Sequence, residues 1–324
     1  MIRTILLLLI ILMSACNAGK KSEHKSGTIT IFHAGSLAYP FREIIKEFNT
    51  EYPDIEVLTE SSGSIAGARK ITDLNRICDI YATADYKVIE ELLYPEHASW
   101  YIAYARSELS VVYSDKSIYS DRINAGNWFE ILQQPEVRFG RSDPNSDPCG
   151  YRTLLMWQLA EEYYNIEGFY QRMLEKDTRF IRPKEVDLLA LLETNTIDYI
   201  FLYRSVAEQH GLKYVILPDS INLGNPELGT HYKHVNVELR GASPSEKIVM
   251  YGEPMIYAVT IPSAAPNPEI AETFLAFLLN PEKGLEIMKK NGQPPVQPLK
   301  IDNLPEIPEN LKVLISKASE NINN

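Results

Sequence analysis

The stretch from Ile29 to Lys70 constrains the fold most strongly, because it contains one pattern twice. Each copy is an apolar strand, a turn with a Gly-Ser pair and an amphipathic helix, and the pairs are Gly35-Ser36 and Gly63-Ser64. A helix N-terminus has unpaired backbone N–H groups and a partial positive charge. Glycine lets a ligand approach that backbone, and serine adds a hydroxyl donor. Two such ends facing one cleft predict an anion site without a charged side chain.

A purely structural role is the alternative for both serines. Serine is a preferred N-cap residue, so Ser36 and Ser64 could serve only to begin their helices. Two matched Gly-Ser turns at equivalent strand-to-helix junctions favour a binding site over two unrelated caps.

Strands and helices alternate beyond this stretch as well, which predicts an α/β fold with a parallel, doubly wound sheet. In such sheets ligands bind beyond the carboxyl ends of the strands. A third strand at Asp79–Asp85 should end at the same edge as the two turns. The apolar segments Glu108–Ser114 and Met255–Ile261 are predicted to cross to a second lobe and back. The other predicted elements are helices at 37–52, 65–75, 128–132, 151–163, 185–192, 268–279 and 281–290 and strands at 28–33, 55–59, 137–141 and 198–203.

Length and charge limit the possible partners. The chain has 324 residues, more than one core usually holds, so two domains are expected. Its net charge of −11 argues against nucleic acid or an anionic membrane surface as a partner. Cys78 and Cys149 could pair in an exported protein but form no disulfide framework. Neither CxxC nor His/Glu zinc spacing is present, so the sequence predicts no metal-binding motif.

The N-terminus is predicted to be a targeting segment. Arg3 precedes an apolar core, and the run Leu12-Met13-Ser14-Ala15-Cys16 resembles the lipobox of bacterial lipoproteins, with Met13 where leucine is commoner. Residues 1–15 would be removed, Cys16 would carry the lipid, and residues 16–27 would form a flexible tether. A plain secretory signal with an incidental cysteine is the alternative. Either prediction makes the protein exported.

Several longer motifs resemble those of the substrate-binding proteins of tungstate/molybdate ABC transporters. They are FHAGSL, ESSGSIAGARKITDL, DIYATADY, SDPNSDPCGYRTLLMWQLAE, RPKEVDLLALLE and DYIFLYRSVAEQHGLKYVILPDSINLGN. The resemblance extends from about Thr28 to about Leu299. It implies the type II periplasmic-binding protein fold, an α/β architecture of two Rossmann-like lobes joined by two crossover strands. Lobe 1 would comprise residues 28–110 plus 256–318, and lobe 2 residues 111–255.

The resemblance also implies a ligand set for one tetrahedral dianion held between the lobes. The matching positions are Gly35, Ser36, Ser64, Asp147, Pro148, Cys149, Glu185 and Tyr203. In the archaeal branch two carboxylates approach the metal itself and make it six-coordinate, and Asp147 and Glu185 match those positions. Archaeal members often have Phe-Glu-Tyr where this chain has Phe201-Leu202-Tyr203, so the assignment of Glu185 depends on the alignment.

Residue chemistry leaves simpler roles open for three of these positions. Asp147 could act only as an N-cap, Glu185 only as a first-turn glutamate that the helix dipole favours, and Tyr203 only as a core aromatic at a strand end. His33, which follows an apolar strand, is predicted to be a hydrogen-bonded core histidine.

The function implied by the resemblance is capture of tungstate or molybdate and delivery to an ABC transporter permease and its ATPase. The protein is expected to be a monomer without a cofactor, attached to the membrane only through its lipid anchor, and not an enzyme. A receptor for sulfate or another tetrahedral oxyanion is the alternative within the class. An exported enzyme on the same fold is the rival class, although the sequence contains no nucleophile elbow, catalytic Cys/His pair or zinc motif.

Overall fold

The computed structural model describes residues 25–241 and 246–312. Its strands are β1 (Gly27–Ala34), β2 (Ile55–Ser62), β3 (Ile80–Thr83), β4 (Tyr101–Arg106), β5 (Leu109–Tyr113), β6 (Phe139–Ser142), β7 (Ile181–Arg182), β8 (Tyr199–Tyr203), β9 (Lys213–Val215), β10 (Asn236–Arg240), β11 (Lys247–Tyr251), β12 (Ile256–Thr260) and β13 (Pro295–Asp302).

The α-helices are α1 (Ala38–Glu51), α2 (Ser64–Thr72), α3 (Trp128–Leu132), α4 (Pro148–Tyr163), α5 (Phe169–Glu175), α6 (Leu189–Glu193), α7 (Arg204–Gln209), α8 (Asp219–Asn222), α9 (Gly229–Tyr232), α10 (Pro268–Leu278) and α11 (Gly284–Lys290). Short 3₁₀ helices lie at Gly35–Leu37, Thr178–Phe180, Glu185–Leu188, Pro226–Leu228 and Leu304–Glu306, and a π-helical turn lies at Ile89–Leu93.

Two sheets form the cores of two lobes. The first has the strand order β13-β4-β12-β3-β1-β2, and the second has the order β7-β6-β8-β5-β9. In each sheet three neighbouring strands run parallel: β2, β1 and β3 in the first, and β7, β6 and β8 in the second. The strand that arrives from the other lobe is antiparallel to its neighbours, β12 in the first sheet and β5 in the second. The two sheets therefore share one plan and exchange the chain twice.

The local sequence explains the elements that flank the cleft. β1 is an apolar, β-branched run whose second half is buried, as in a central parallel strand. On α1 the buried residues Phe41, Ile44 and Phe48 recur at helical spacing and face the core of the first lobe. α4 begins with Asp147 as N-cap and Pro148 as its first residue, both preferred at those positions.

The predicted α/β fold of two lobes with two crossovers is confirmed, with differences in detail. The sheets are mixed rather than purely parallel, because each receives its antiparallel crossover strand. β2 continues through Ser62, into residues predicted to form a turn, and α4 begins at Pro148 rather than Tyr151. The sequence analysis did not predict β7 or the β10–β11 hairpin. β7 is only two residues long, which is too short for a pattern to reveal.

The limits assigned to the lobes remain predictions, and their end at 313–318 lies outside the described residues. The chain leaves the first sheet after Arg106 and joins the second at Leu109. It returns between Tyr251 and Ile256. Within residues 25–241 and 246–312, no helix has the length and apolar character needed to cross a membrane.

Candidate functional site

The candidate site lies where the carboxyl ends of the parallel strands in the two lobes face each other. In the first lobe, Gly35 follows β1, Gly63 follows β2 and Asp85 lies just beyond β3. In the second, the Asp147 turn follows β6, Glu185 follows β7, and Tyr203 ends β8. Parallel strands deliver their ends to one edge of a sheet, so side chains distant in sequence meet between the lobes.

The first Gly-Ser turn packs directly against Glu185 of the other lobe. The 3₁₀ helices Gly35–Leu37 and Glu185–Leu188 are in contact. A methyl group at Gly35 would lie 3.0 Å from both carboxylate oxygens of Glu185, so glycine is what permits this approach. Ser36 is buried, and its hydroxyl has no hydrogen-bond partner. Neither Ser36 nor Ser64 is an N-cap, since those positions are occupied by Ala34 and Gly63.

Asp147 is fully buried and joins two segments of the second lobe. One carboxylate oxygen accepts the backbone N–H of Cys149 at 3.2 Å, which is the capping interaction of α4. The other accepts the N–H of Glu185 at 2.8 Å. The alternative role of Asp147 as an N-cap is therefore present in the structure, and the second hydrogen bond also fixes the backbone of Glu185 beside Asp147.

Glu185 is the most unusual group in the site. Its side chain is 1% exposed, and neither carboxylate oxygen has a hydrogen-bond partner. Burial and the charge of Asp147 raise the pKa of Glu185 well above its ordinary value, and burial also raises the pKa of Asp147. A buried carboxylate without a partner is unfavourable, so a merely structural first-turn role does not account for it.

Further unpartnered hydroxyl groups surround the two carboxylates. Tyr203 is completely buried, and its hydroxyl makes no hydrogen bond. Burial raises the pKa of Tyr203 well above its usual range, so the hydroxyl keeps its proton as a donor. The hydroxyl of Ser142, at the end of β6, is also buried and unpartnered. Gln293 donates to the backbone oxygen of Ser36 at 3.0 Å and to the Tyr257 hydroxyl at 3.1 Å, and so supports the first turn from behind.

The second Gly-Ser turn contacts the opposite lobe through its backbone. The N–H of Ala66, in the first turn of α2, donates to the backbone oxygen of Ser146 at 3.0 Å. A methyl group at Gly63 would lie 2.3 Å from that same oxygen. The hydroxyl of Ser64 accepts the N–H of Ala84 at 3.0 Å. This helix end thus takes part in the contact between the lobes, and the ligand role of Ser64 remains a prediction.

The structure brings the predicted site residues to the interface between the lobes, from three segments of lobe 2 and two of lobe 1. Pro148 and Cys149 form the first turn of α4 and lie beside Asp147, and Cys149 and Cys78 are both free and buried. Cys16 lies outside the described residues. His33 is the expected core histidine, 4% exposed with Nδ1 2.7 Å from the backbone oxygen of Ala34.

The sequence analysis missed four residues that contribute to this region. Ser142 is the first residue of the motif SDPNSDPCGYRTLLMWQLAE and could have been identified there as a further hydroxyl. Asp85 ends the third predicted strand and satisfies the same strand-end criterion as Ser36. Tyr257 and Gln293 had no sequence signal, because they reach the site only through the return of the chain to the first sheet.

Comparisons with known proteins agree with this architecture. The family model described as bacterial extracellular solute-binding protein matches residues 29–293. A solute-binding protein of Petrotoga mobilis is 44% identical over 292 residues, covering 90% of this chain and 91% of that one. The molybdate/tungstate-binding protein WtpA of Pyrococcus abyssi is 38% identical over 344 residues, covering 95% and 96%. Among solved structures, the periplasmic molybdate-binding protein of Azotobacter vinelandii has a TM-score of 0.61 at 15% identity, covering 82% of this chain and 98% of that one.

Two α/β lobes and a chain that crosses between them twice have the type II periplasmic-binding protein fold. The chain belongs to the bacterial extracellular solute-binding protein family. This family is one of binding proteins rather than enzymes.

Proposed function

We propose that this protein captures tungstate or molybdate between its lobes and delivers it to the permease of an ABC transporter and its ATPase. One observation carries the proposal. Hydroxyl donors of Ser36, Ser142 and Tyr203 and the carboxylate of Glu185 are all buried in the contact region between the lobes, and none has a hydrogen-bond partner. Buried polar groups are almost always paired in native proteins, so this set fits a ligand.

The donors match an anion that carries no proton. Tungstate and molybdate are fully deprotonated at neutral pH, so their oxygens accept hydrogen bonds and donate none. Hydroxyl groups and backbone N–H groups satisfy that pattern. Protonated phosphate would bring an O–H that such donors leave unpaired, at a cost of about 1–3 kcal/mol.

The carboxylates give the argument for a metal-centred oxyanion. Two carboxylates beside a dianion repel it unless something positive lies between them. A hexavalent tungsten or molybdenum centre is positive and can accept additional oxygen ligands, whereas the sulfur of sulfate cannot. Glu185, whose two oxygens are unpartnered, and Asp147, whose position is fixed by two backbone N–H groups, are the proposed ligands. Sulfate would then bind weakly at most.

The relatives support the same ligand. The protein of Pyrococcus abyssi that covers nearly the whole chain is named molybdate/tungstate-binding. A site enclosed by two lobes is suited to capturing an anion and releasing it again. Ligand that binds the closed arrangement better than the open one drives closure, and the closed form is the shape that a permease can recognise. No resident cofactor is proposed.

Attachment through Cys16 belongs to this proposal as well. A lipid on that residue would hold the receptor at the outer face of the membrane, near its permease. Cys16→Ser should move the protein from the membrane pellet to the soluble exported fraction without changing its ligand affinity. Persistence in the pellet after a high-salt wash would contradict the anchor.

Titration calorimetry with tungstate, molybdate and sulfate tests the function. We expect tight binding of the first two and weak binding of sulfate. X-ray absorption at the tungsten edge of the complex should show six oxygen neighbours. Sulfate binding as tight as that of tungstate, or four neighbours around tungsten, would refute coordination by the carboxylates. Turnover of an ester or phosphate substrate would instead favour an enzyme.

A further inference from the structure

A buried charge cluster connects the two lobes. Asp85 lies just beyond β3 in the first lobe, and Tyr151 and Arg152 lie on α4 of the second. One oxygen of the Asp85 carboxylate accepts the Tyr151 hydroxyl and, at 2.5 Å, a guanidinium nitrogen of Arg152. The three residues are 3%, 1% and 2% exposed, so water reaches none of them in this arrangement.

Asp85 is held ready for this contact by its own lobe. Its second carboxylate oxygen accepts the backbone N–H of Lys87 at 3.0 Å. Its backbone N–H donates to the hydroxyl of Thr83 at 3.1 Å, and that hydroxyl donates back to the Asp85 carbonyl at 2.9 Å. These bonds lie within the first lobe and do not depend on closure. The carboxylate is therefore pre-positioned toward the second lobe.

The partners of Asp85 are rigidly connected to the proposed ligand site. Arg152 lies five residues after Asp147, about 8 Å along the axis of α4 at the usual helical rise. Because Asp147 caps that helix, the proposed tungsten ligand and Arg152 must move together when the lobes approach. Closing the lobes over an anion and burying the Asp85 contacts are thus one event.

Arg152 also makes the contact sensitive to loss of its partner. Asp85 is the one acidic residue paired with Arg152 among the described residues. Two of the guanidinium nitrogens, Nε and Nη1, are buried without a hydrogen-bond partner. Burial alone would lower the pKa of Arg152. The interactions with Asp85 and Tyr151 raise this pKa by more than burial lowers it, so the guanidinium group stays charged. Removing one member of a buried ion pair leaves the other charge uncompensated, which is strongly destabilising.

We propose that Asp85, Tyr151 and Arg152 form a latch between the lobes that holds them closed over the bound anion and sets how slowly the anion is released. The identity of the anion in this proposal rests on the proposed function, whereas the closure of the lobes does not. The three are positioning residues: they act on the ligand through the lobes. Opening exposes all three to water, so the latch opposes opening of the closed form and leaves ligand entry into the open form unaffected.

The test measures release and affinity separately. Purified protein loaded with tungstate is diluted into excess molybdate, and protein-bound tungsten is followed over time by mass spectrometry after rapid desalting. Calorimetry gives Kd. We expect Asp85→Asn to raise the dissociation rate at least tenfold and Tyr151→Phe to raise it several-fold. Kd should rise with the dissociation rate, and the association rate should not fall, because the open form that admits the ligand becomes more populated.

Two matched variants within the second lobe serve as controls. Asp198 is a carboxylate with 1% exposure that pairs with Arg138 and accepts backbone N–H groups of its own lobe. The hydroxyl of Tyr199 donates to a backbone oxygen of the same lobe. Asp198→Asn and Tyr199→Phe should lower thermal stability without changing tungstate release. If the Asp85 and Tyr151 variants behave like these controls, the cluster is only structural and the latch is refuted.

A ligand-free measurement separates the latch from the proposed function. Small-angle X-ray scattering should give a larger radius of gyration for Asp85→Asn than for the wild type, because fewer molecules are closed. Equal radii would overturn the latch. A wild type that binds no oxyanion would refute the proposed function, and the scattering comparison would still decide the latch. If Asp85→Asn does not fold, Tyr151→Phe, which removes a single hydroxyl, carries the same comparisons.

Discussion

Replacement of Glu185 by glutamine tests the chemistry of the site most directly, because it removes a charge and preserves the shape. Both carboxylate oxygens of Glu185 are buried without a partner, and Asp147 holds its backbone. If the carboxylate coordinates tungsten, the variant breaks a buried contact between opposite charges. Such losses cost about 3–5 kcal/mol. At about 1.4 kcal/mol for each factor of ten, tungstate affinity should fall by roughly 10² to 10³-fold or more.

Stability should move in the opposite direction from affinity. Burial and the charge of Asp147 raise the pKa of Glu185 above its ordinary 4.5. The folded protein therefore holds that proton more tightly than the unfolded chain. The stability from this group is complete at low pH and is lost as the pH rises from the ordinary pKa through the raised one. Glutamine cannot lose a proton, so the ligand-free variant should be as stable as the wild type at pH 7 or more stable.

Calorimetry with tungstate and sulfate, together with thermal unfolding of the ligand-free protein, provides the assay. Sulfate binding should stay weak or improve, because a repulsive charge is gone. Glu193→Gln, an exposed charge at the end of α6, controls for the change in net charge. A tungstate Kd for Glu185→Gln within threefold of the control would refute coordination by this carboxylate. Equal losses for tungstate and sulfate would indicate a general defect in the cleft.

The other predictions concern the two turns and the core histidine. Ser36→Ala removes an unpartnered hydroxyl and should weaken tungstate binding by about 0.5–1.5 kcal/mol. Ser64→Ala should lower thermal stability more than it lowers tungstate affinity. Unchanged affinity in both variants would show that the two serines have only a structural role. Gly63→Ala would place a methyl group 2.3 Å from the backbone oxygen of Ser146 in the other lobe, so calorimetry should show weakened binding while ligand-free stability is kept; parental affinity would show that closure does not require this contact. Burial lowers the pKa of His33 below 6.5, so denaturant titrations should show stability decreasing as the pH falls from that value through the folded pKa. His33→Asn should flatten this dependence, and an unchanged slope would assign it to other groups.

Much of the fold follows from local sequence. Strand, turn and helix repeat with clear apolar periodicity around Ser36 and Ser64, and this alone predicted an α/β architecture with ligands at strand ends. Apolar patterning also placed the crossovers at Glu108–Ser114 and Met255–Ile261. The first segment contains the antiparallel strand β5, and the second contains the antiparallel strand β12. These patterns are visible because each depends on residues within one turn or one strand.

Only the tertiary structure decided which groups meet between the lobes. Nothing in the sequence near Asp85 indicates that its partners are Tyr151 and Arg152, 66 and 67 residues away. The same holds for Gln293, which supports Ser36 across 257 residues. Contacts of this kind depend on how the chain returns from one lobe to the other and on how closely the lobes approach. Local periodicity carries no information about either, so the sequence specified the two halves of the site and the packing of the lobes determined how they fit together.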